Sequence, residues 1–227
     1  MLESVNRRRQ RGLSLVEVLV GLAIGLLVVA CGALLLAQHL REHRALLIEA
    51  RLLQDLRTAV DVVARDLRRA GHWADAAAGL PEAALPGRTN PYAALAPAAA
   101  ASDAASFAFS RDVIENHQLD SHERFGFRLR NRTIEMQIGG GSWQALTDAT
   151  MLAVTTLRIV PTVQEIELGE LCSHACPVGS TECPARQQLR SLRIEIAGRS
   201  VADSGVVRNV QAEVRLRNDA LAGACPA

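Results

Sequence analysis

Glu17 is the only charged side chain between Gly12 and Ala37, in the run GLSLVEVLVGLAIGLLVVACGALLLA. A carboxylate in so apolar a setting is costly, and it calls for a cation or hydrogen-bond donor from a neighbour. A second chemistry-bearing set is made of sulfur. Of five cysteines, Cys31 lies in the apolar run. Cys172, Cys176 and Cys183 share one loop with His174, and Cys225 is near the last residue. Four thiolates, or three with an imidazole, are a zinc donor set, but paired CxxC knuckles are missing. An even set in an exported domain favours disulfides, and four cysteines allow three pairings. A bond to Cys225 would tie the tail to the loop.

Other groupings carry less. Ser110, Asp112, His117, Asp120 and His122 supply nucleophile, acid and base types in one polar segment. Triads are recognised by geometry, and residues this close in sequence read as a solvated loop. His39 and His43 stand four apart, a chelating spacing without a third ligand nearby. Gly139-Gly140-Gly141-Ser142 joins two strand patterns and lacks the lysine of a phosphate loop. Asn131-Arg132-Thr133 fits a glycosylation triplet but reads as a turn. No enzyme, cofactor or metal is expected.

The elements that hold these residues follow from pattern. Four arginines, Arg7, Arg8, Arg9 and Arg11, precede about 20 apolar residues without a charge from Val18 to Ala37, enough for a helix to span a bilayer. By the positive-inside rule the leader stays cytoplasmic and the rest is exported. An ordinary secretory signal has a shorter apolar core with its cut after it. Ala30-Cys31 resembles a lipoprotein site, but apolar residues continue through Leu34-Leu35-Leu36. Gly21 and Gly25 form a GxxxG pair that lets another helix approach.

Beyond the span, Leu53, Leu56, Val60, Val63, Leu67 and Ala70 step by three and four, one stripe of an amphipathic helix capped by Gly71. One helix from Leu13 to Ala70 would be ~85 Å long. Residues 74–105 are Ala-rich and broken by Pro81, Pro86, Pro91 and Pro97, which reads as a loop with short helical turns. After Ala105 the period falls to two. Strands are expected at Ser106–Ser110, Phe125–Leu129, Thr133–Ile138, Trp143–Leu146, Val154–Val160, Leu192–Ile196 and Val206–Leu216. Helix first and strands afterwards implies α+β, with one antiparallel sheet against the outer half of the helix.

Net charge is +1, with every basic residue an arginine. The first twelve residues carry +3, which leaves a body near −2. So balanced a body argues against a nucleic-acid partner held by phosphate neutralisation.

A basic leader ending in Gly12, an apolar Leu13, and Glu17 at the fifth place of the apolar run resembles the class III signal of type IV pilins and type II secretion pseudopilins. That resemblance implies cleavage by prepilin peptidase between Gly12 and Leu13 and N-methylation of Leu13. Most members begin with Phe there. It also implies that Glu17 meets the amino group of a neighbouring subunit during assembly. Asp66-Leu67-Arg68-Arg69-Ala70-Gly71-His72-Trp73, within Asp55–Trp73, is similar to the helix end of the minor pilin family PilW. The pseudopilin GspJ is the nearest rival, and an adhesin or DNA-uptake subunit on the same anchor is a third reading. The resemblance implies a type IV pilin-like fold and a division into leader 1–12, polymerisation helix 13–37, its amphipathic continuation 38–73, the loop 74–105 and a β-rich domain 106–227. The implied partners are prepilin peptidase, other minor and major pilins, inner-membrane lipid and the pilus assembly machinery. The implied location is the inner membrane with the C-terminal domain periplasmic, then the pilus fibre.

Overall fold

The computed structural model describes residues 14–79 and 88–226, so the leader, Gly12, Leu13, Pro81 and Pro86 lie outside the described residues. The chain divides into two compact units, one ending at Leu47 and one running from Ile48. A single helix, α1 (Leu15–Leu67), contributes to both. Within the first unit, every residue from Leu15 to Leu47 is exposed. An apolar helix with no intrachain cover is stable only in lipid or against other helices.

In the second unit α1 buries Leu52, Leu56, Ala59, Val60, Val63, Ala64 and Leu67. The expected stripe therefore shifts at its start. Leu53 is only half-buried and Leu52 takes the inner place, while Ala59 and Ala64 widen the face. Hydropathy at a three-four step cannot choose between adjacent leucines; packing does. Each fully buried Leu or Val contributes about 1.5–3 kcal/mol.

The helix also ends sooner than expected, at Leu67 and not Ala70. Arg69 N–H and Ala70 N–H bond back only three residues, to Asp66 and Leu67, which tightens the last turn. Gly71 follows at φ +76°, a conformation glycine adopts without strain. Its N–H does not return to the helix but donates to Ala108 O at 2.8 Å. The helix end is thus fastened to a strand.

Beyond a 3-10 turn at Ala76–Gly79, nine strands follow among the described residues. The first five are β1 (Leu95–Ala96), β2 (Ala104–Ala108), β3 (Arg124–Arg130), β4 (Thr133–Ile138) and β5 (Trp143–Ala145). They form one antiparallel sheet in chain order. The remainder are β6 (Leu152–Glu167), β7 (Arg186–Ser200), β8 (Val207–Arg215) and β9 (Ala220–Ala222). In this second sheet β6, β7 and β8 lie side by side and β9 pairs with the far end of β7. The single sheet expected from the sequence is therefore two. Alternation reports which face a residue takes, not which strand it pairs with.

Asn131 and Arg132, at φ 50° and 63°, form the two-residue turn between β3 and β4. Its mirror-image geometry matches strand twist. The core gathers the buried side of α1 with Phe107, Phe127 and Ile134 of the first sheet and Ile159, Leu192, Ile194 and Ile196 of the second. β6 and β7 run far beyond the expected Val154–Val160 and Leu192–Ile196. Val154–Val160 falls in the buried first half of β6 and Leu192–Ile196 in the middle of β7. Residues 162–167 are exposed on both faces, so no alternation marks them.

Candidate functional site

Glu17, Gly21 and Gly25 are three successive i,i+4 positions of α1, which places them along one ridge of the helix. Glu17 sits in the first turn, where the helix dipole favours a carboxylate. Ser14 immediately precedes the first helical residue and Glu17 lies three further on, the spacing of a capping box. A Cβ built on Gly21 or Gly25 meets nothing within 4 Å. The small-residue groove is open to an incoming helix. Leu19, Leu22, Leu26 and Val29 around it are each more than half exposed. Gly12 and Leu13, the expected processing residues, lie outside the described residues. His39 lies 3.9 Å from Glu42, and both side chains are exposed.

The outer half of α1 is held by polar fastenings at each end. At its start, Arg208 reaches back from β8 to Glu49, with Nε donating at 3.0 Å and a second nitrogen at 2.6 Å. At its end, the Gly71 carbonyl accepts from Asn90 Nδ2 at 2.9 Å and also from Asn218 Nδ2. Arg190 threads the same junction, donating to Ala93 O at 3.3 Å and Asn218 O at 3.1 Å. Burial lowers its pKa, and nearby Asp219 works in the opposite direction. The motif that closes the helix, Asp66 to Trp73, thus coincides with a point where helix, loop, β7 and tail converge.

The four C-terminal cysteines pair as Cys172–Cys225 and Cys176–Cys183, at Cα separations of 5.2 and 5.6 Å. All four thiols are consumed, which removes the donor set of the zinc alternative and leaves His174 without thiolate companions. Cys31 is the free thiol among the described residues and is exposed on α1. The larger bond ties the tail beside β9 to the loop between β6 and β7, so three strands meet at one stapled end.

Residues 110–123 assemble differently from the nucleophile, acid and base set that their types allow. Ser110 Oγ donates to Glu115 at 2.7 Å, and no hydrogen bond among the described residues joins it to His117 or His122. Glu115 also accepts from Tyr92 OH at 2.8 Å and His117 N–H at 2.9 Å. Burial pushes the Glu115 carboxyl upward, but the Ser110, Tyr92 and His117 hydrogen bonds outweigh it and hold it below its ordinary value. Tyr92, fully buried, is raised well above a normal phenol, first by burial and then by its bond to Glu115. His122 meets Asp112 at 3.2 Å. Asp112, Asp120, His122 and Glu123 bring ligand atoms within 4.8 Å of one another. However, both oxygens of the buried Glu123 are already engaged, by Arg111 N–H at 2.9 Å and Asp120 N–H at 3.0 Å. These carboxylates brace a loop. The signal for Glu123 was present as Asp120-x-x-Glu123, the capping spacing; nothing local marks Glu115 or Tyr92, which are joined over 23 residues.

Comparison with known proteins gives two family matches. The family described as prepilin peptidase-dependent protein B matches residues 45–216, well over half of the chain. The prokaryotic N-terminal methylation motif matches residues 7–30, which include the leader arginines, Gly12, Leu13, Glu17, Gly21 and Gly25. No curated protein and no solved structure matches. The two matches meet the fold: a long apolar helix, continued into antiparallel sheets, is the type IV pilin-like α+β arrangement.

Proposed function

The chain belongs to the family described as prepilin peptidase-dependent protein B, and from that premise we propose that this pilin-like, membrane-anchored subunit is a minor pilin that helps to initiate type IV pilus assembly. Prepilin peptidase cuts between Gly12 and Leu13 and the new terminus is methylated. Residues 13–37 then serve as anchor and polymerisation stem, and 38–227 as the displayed part. Its partners are the other minor and major pilins, inner-membrane lipid and the assembly machinery. It stands in the inner membrane with a periplasmic C-terminal domain before it joins the fibre.

The observation that carries this reading is the ridge of Glu17, Gly21 and Gly25. It lies inside the methylation-motif match on the part of α1, Leu15 to Leu47, whose every residue is exposed. Buried between neighbouring helices, the Glu17 carboxylate needs a cation, and a subunit's free amino terminus supplies one. The helix-end motif Asp66–Trp73 supports the PilW-like assignment within the pilins. A GspJ-like pseudopilin shares the same stem, so the filament with which the protein co-purifies distinguishes the two. The test is Glu17→Ala. The variant should be exported and cleaved normally yet recovered in sheared filaments at a small fraction of the wild-type level. Normal incorporation would refute the role given to Glu17.

A further inference from the structure

The outer edge of β6 is the least finished part of the second sheet. β6 pairs with β7 on one side in unbroken register from Thr156 to Glu167. Away from β7, among the described residues, Val154 N–H donates to Arg132 O at 2.9 Å and one bridge forms: Ser102 and Ile159 exchange both backbone hydrogen bonds, at 3.0 and 2.8 Å. Ile159 therefore directs its N–H and C=O away from β7. By the alternation of an antiparallel ladder, Pro161, Val163, Glu165 and Glu167 do the same. Two observations agree with that parity. Pro161 has no N–H and sits where none is needed for the ladder, and Leu168, of the opposite parity, donates to Ala185 on the β7 side. Past Pro161, three consecutive outward residues thus present free backbone donors and acceptors, and no hydrogen bond among the described residues reaches them.

Natural edges are usually covered or blunted because such a row templates another strand. This one is exposed throughout residues 162–167, with Val163 at 44% and Ile166 at 43%. The disulfides close the adjoining loop and tail. We propose that the β6 edge from Val163 to Glu167 is a docking site for an extended segment of a partner protein, which adds as a further strand and bears cationic side chains on one face.

Charge selects the occupant. Val163, Glu165 and Glu167 share one face of the strand. Glu165 is countered by Arg186 at 3.4 Å and Gln188 at 2.7 Å. Glu167 has no ion pair among the described residues, and Glu170 adds an exposed acid just beyond. A second copy pairing edge to edge about a two-fold axis would set these carboxylates against their own kind, which is unfavourable. A strand with Arg or Lys opposite Glu165 and Glu167, and apolar side chains on the face of Ile166, satisfies both faces and the free backbone groups. The site is a property of the Ile48–Ala227 unit and does not depend on the assembly reading.

The test uses the full chain in detergent micelles with two labelled ten-residue peptides, one alternating Val and Arg, the other Val and Glu. The Val-Arg peptide should bind by fluorescence anisotropy and slow amide exchange at Val163, Glu165 and Glu167 at least tenfold. The Val-Glu peptide should do neither. Val163→Pro should weaken Val-Arg binding at least tenfold while leaving the thermal transition within a few degrees, because that N–H is outside the ladder. Glu167→Arg should shift preference toward the Val-Glu peptide, which keeps the test valid if the proline variant misfolds. No binding of the Val-Arg peptide, protection elsewhere on the surface, or equal affinity for both peptides would overturn the proposal.

Discussion

Removing the Cys172–Cys225 bond should cost this protein more stability than removing Cys176–Cys183, and the structure sets the ratio. The two bonds close loops with sequence separations of 53 and 7 residues. In the chain-entropy treatment, cross-linking the unfolded chain over those lengths contributes about 4 and about 2.5 kcal/mol. For a unit of this size, each kcal/mol moves the thermal midpoint by about 2–4 °C. The paired variant Cys172→Ser/Cys225→Ser should therefore melt about 8–16 °C below the parent, and Cys176→Ser/Cys183→Ser about 5–10 °C below it. The assay is thermal unfolding followed by circular dichroism on the purified full chain, without reductant. A local readout accompanies it. The longer bond fastens the tail that pairs with Arg186, Gln187 and Gln188 through β9, so amide exchange there should accelerate in the first variant and not in the second. Equal losses, or a larger loss from the short loop, would refute the assignment of the longer bond as the main staple.

Three further outcomes follow from the packing. Leu56→Ala should cost about 2–5 kcal/mol, since Leu56 is fully buried, and the half-buried Leu53 should cost clearly less; chemical denaturation of both variants checks the order. Gly71→Ala should cost about 1–2 kcal/mol from backbone strain at φ +76°. Its new Cβ would meet only ordinary contacts, the closest being Arg190 at 3.5 Å, so a neutral result would show that the helix exit relaxes. Glu115 is held below its ordinary carboxyl value when folded. Its contribution is thus complete above the unfolded pKa and drains away as pH falls through the lower folded value. Glu115→Gln should flatten that part of the acid limb in a stability-versus-pH series, and an unchanged limb would contradict the assignment.

The stem was readable because its signals are local and one-dimensional. A charge-free run, one acid at its start and a basic leader need no knowledge of the remaining fold. The same holds for the β3–β4 turn at Asn131-Arg132 and for the inner residues of β7, where Leu192, Ile194 and Ile196 alternate. What was not readable depends on partners distant in sequence. Leu52 displaces Leu53 because of what the sheets present to the helix. The helix stops at Leu67 because Gly71 is captured by Ala108, Asn90 and Asn218. The far half of β6 and the start of β7 that pairs with it carry no alternation because neither face is buried. Ser110 belongs to Glu115 and Tyr92, and the short Ser110-to-His122 segment could not reveal a tyrosine from another loop. The cysteine pairing is likewise a matter of where the tail returns.

The central claim is that this chain is a processed pilin-like subunit with a methylated N-terminal helix and two closed disulfides. Intact mass of the protein taken from its native membrane tests all of it at once. The account predicts the mass of Leu13–Ala227 plus one methyl group and less four hydrogens. The mass of the uncut chain, or of a lipid-bearing form that begins at Cys31, would contradict it.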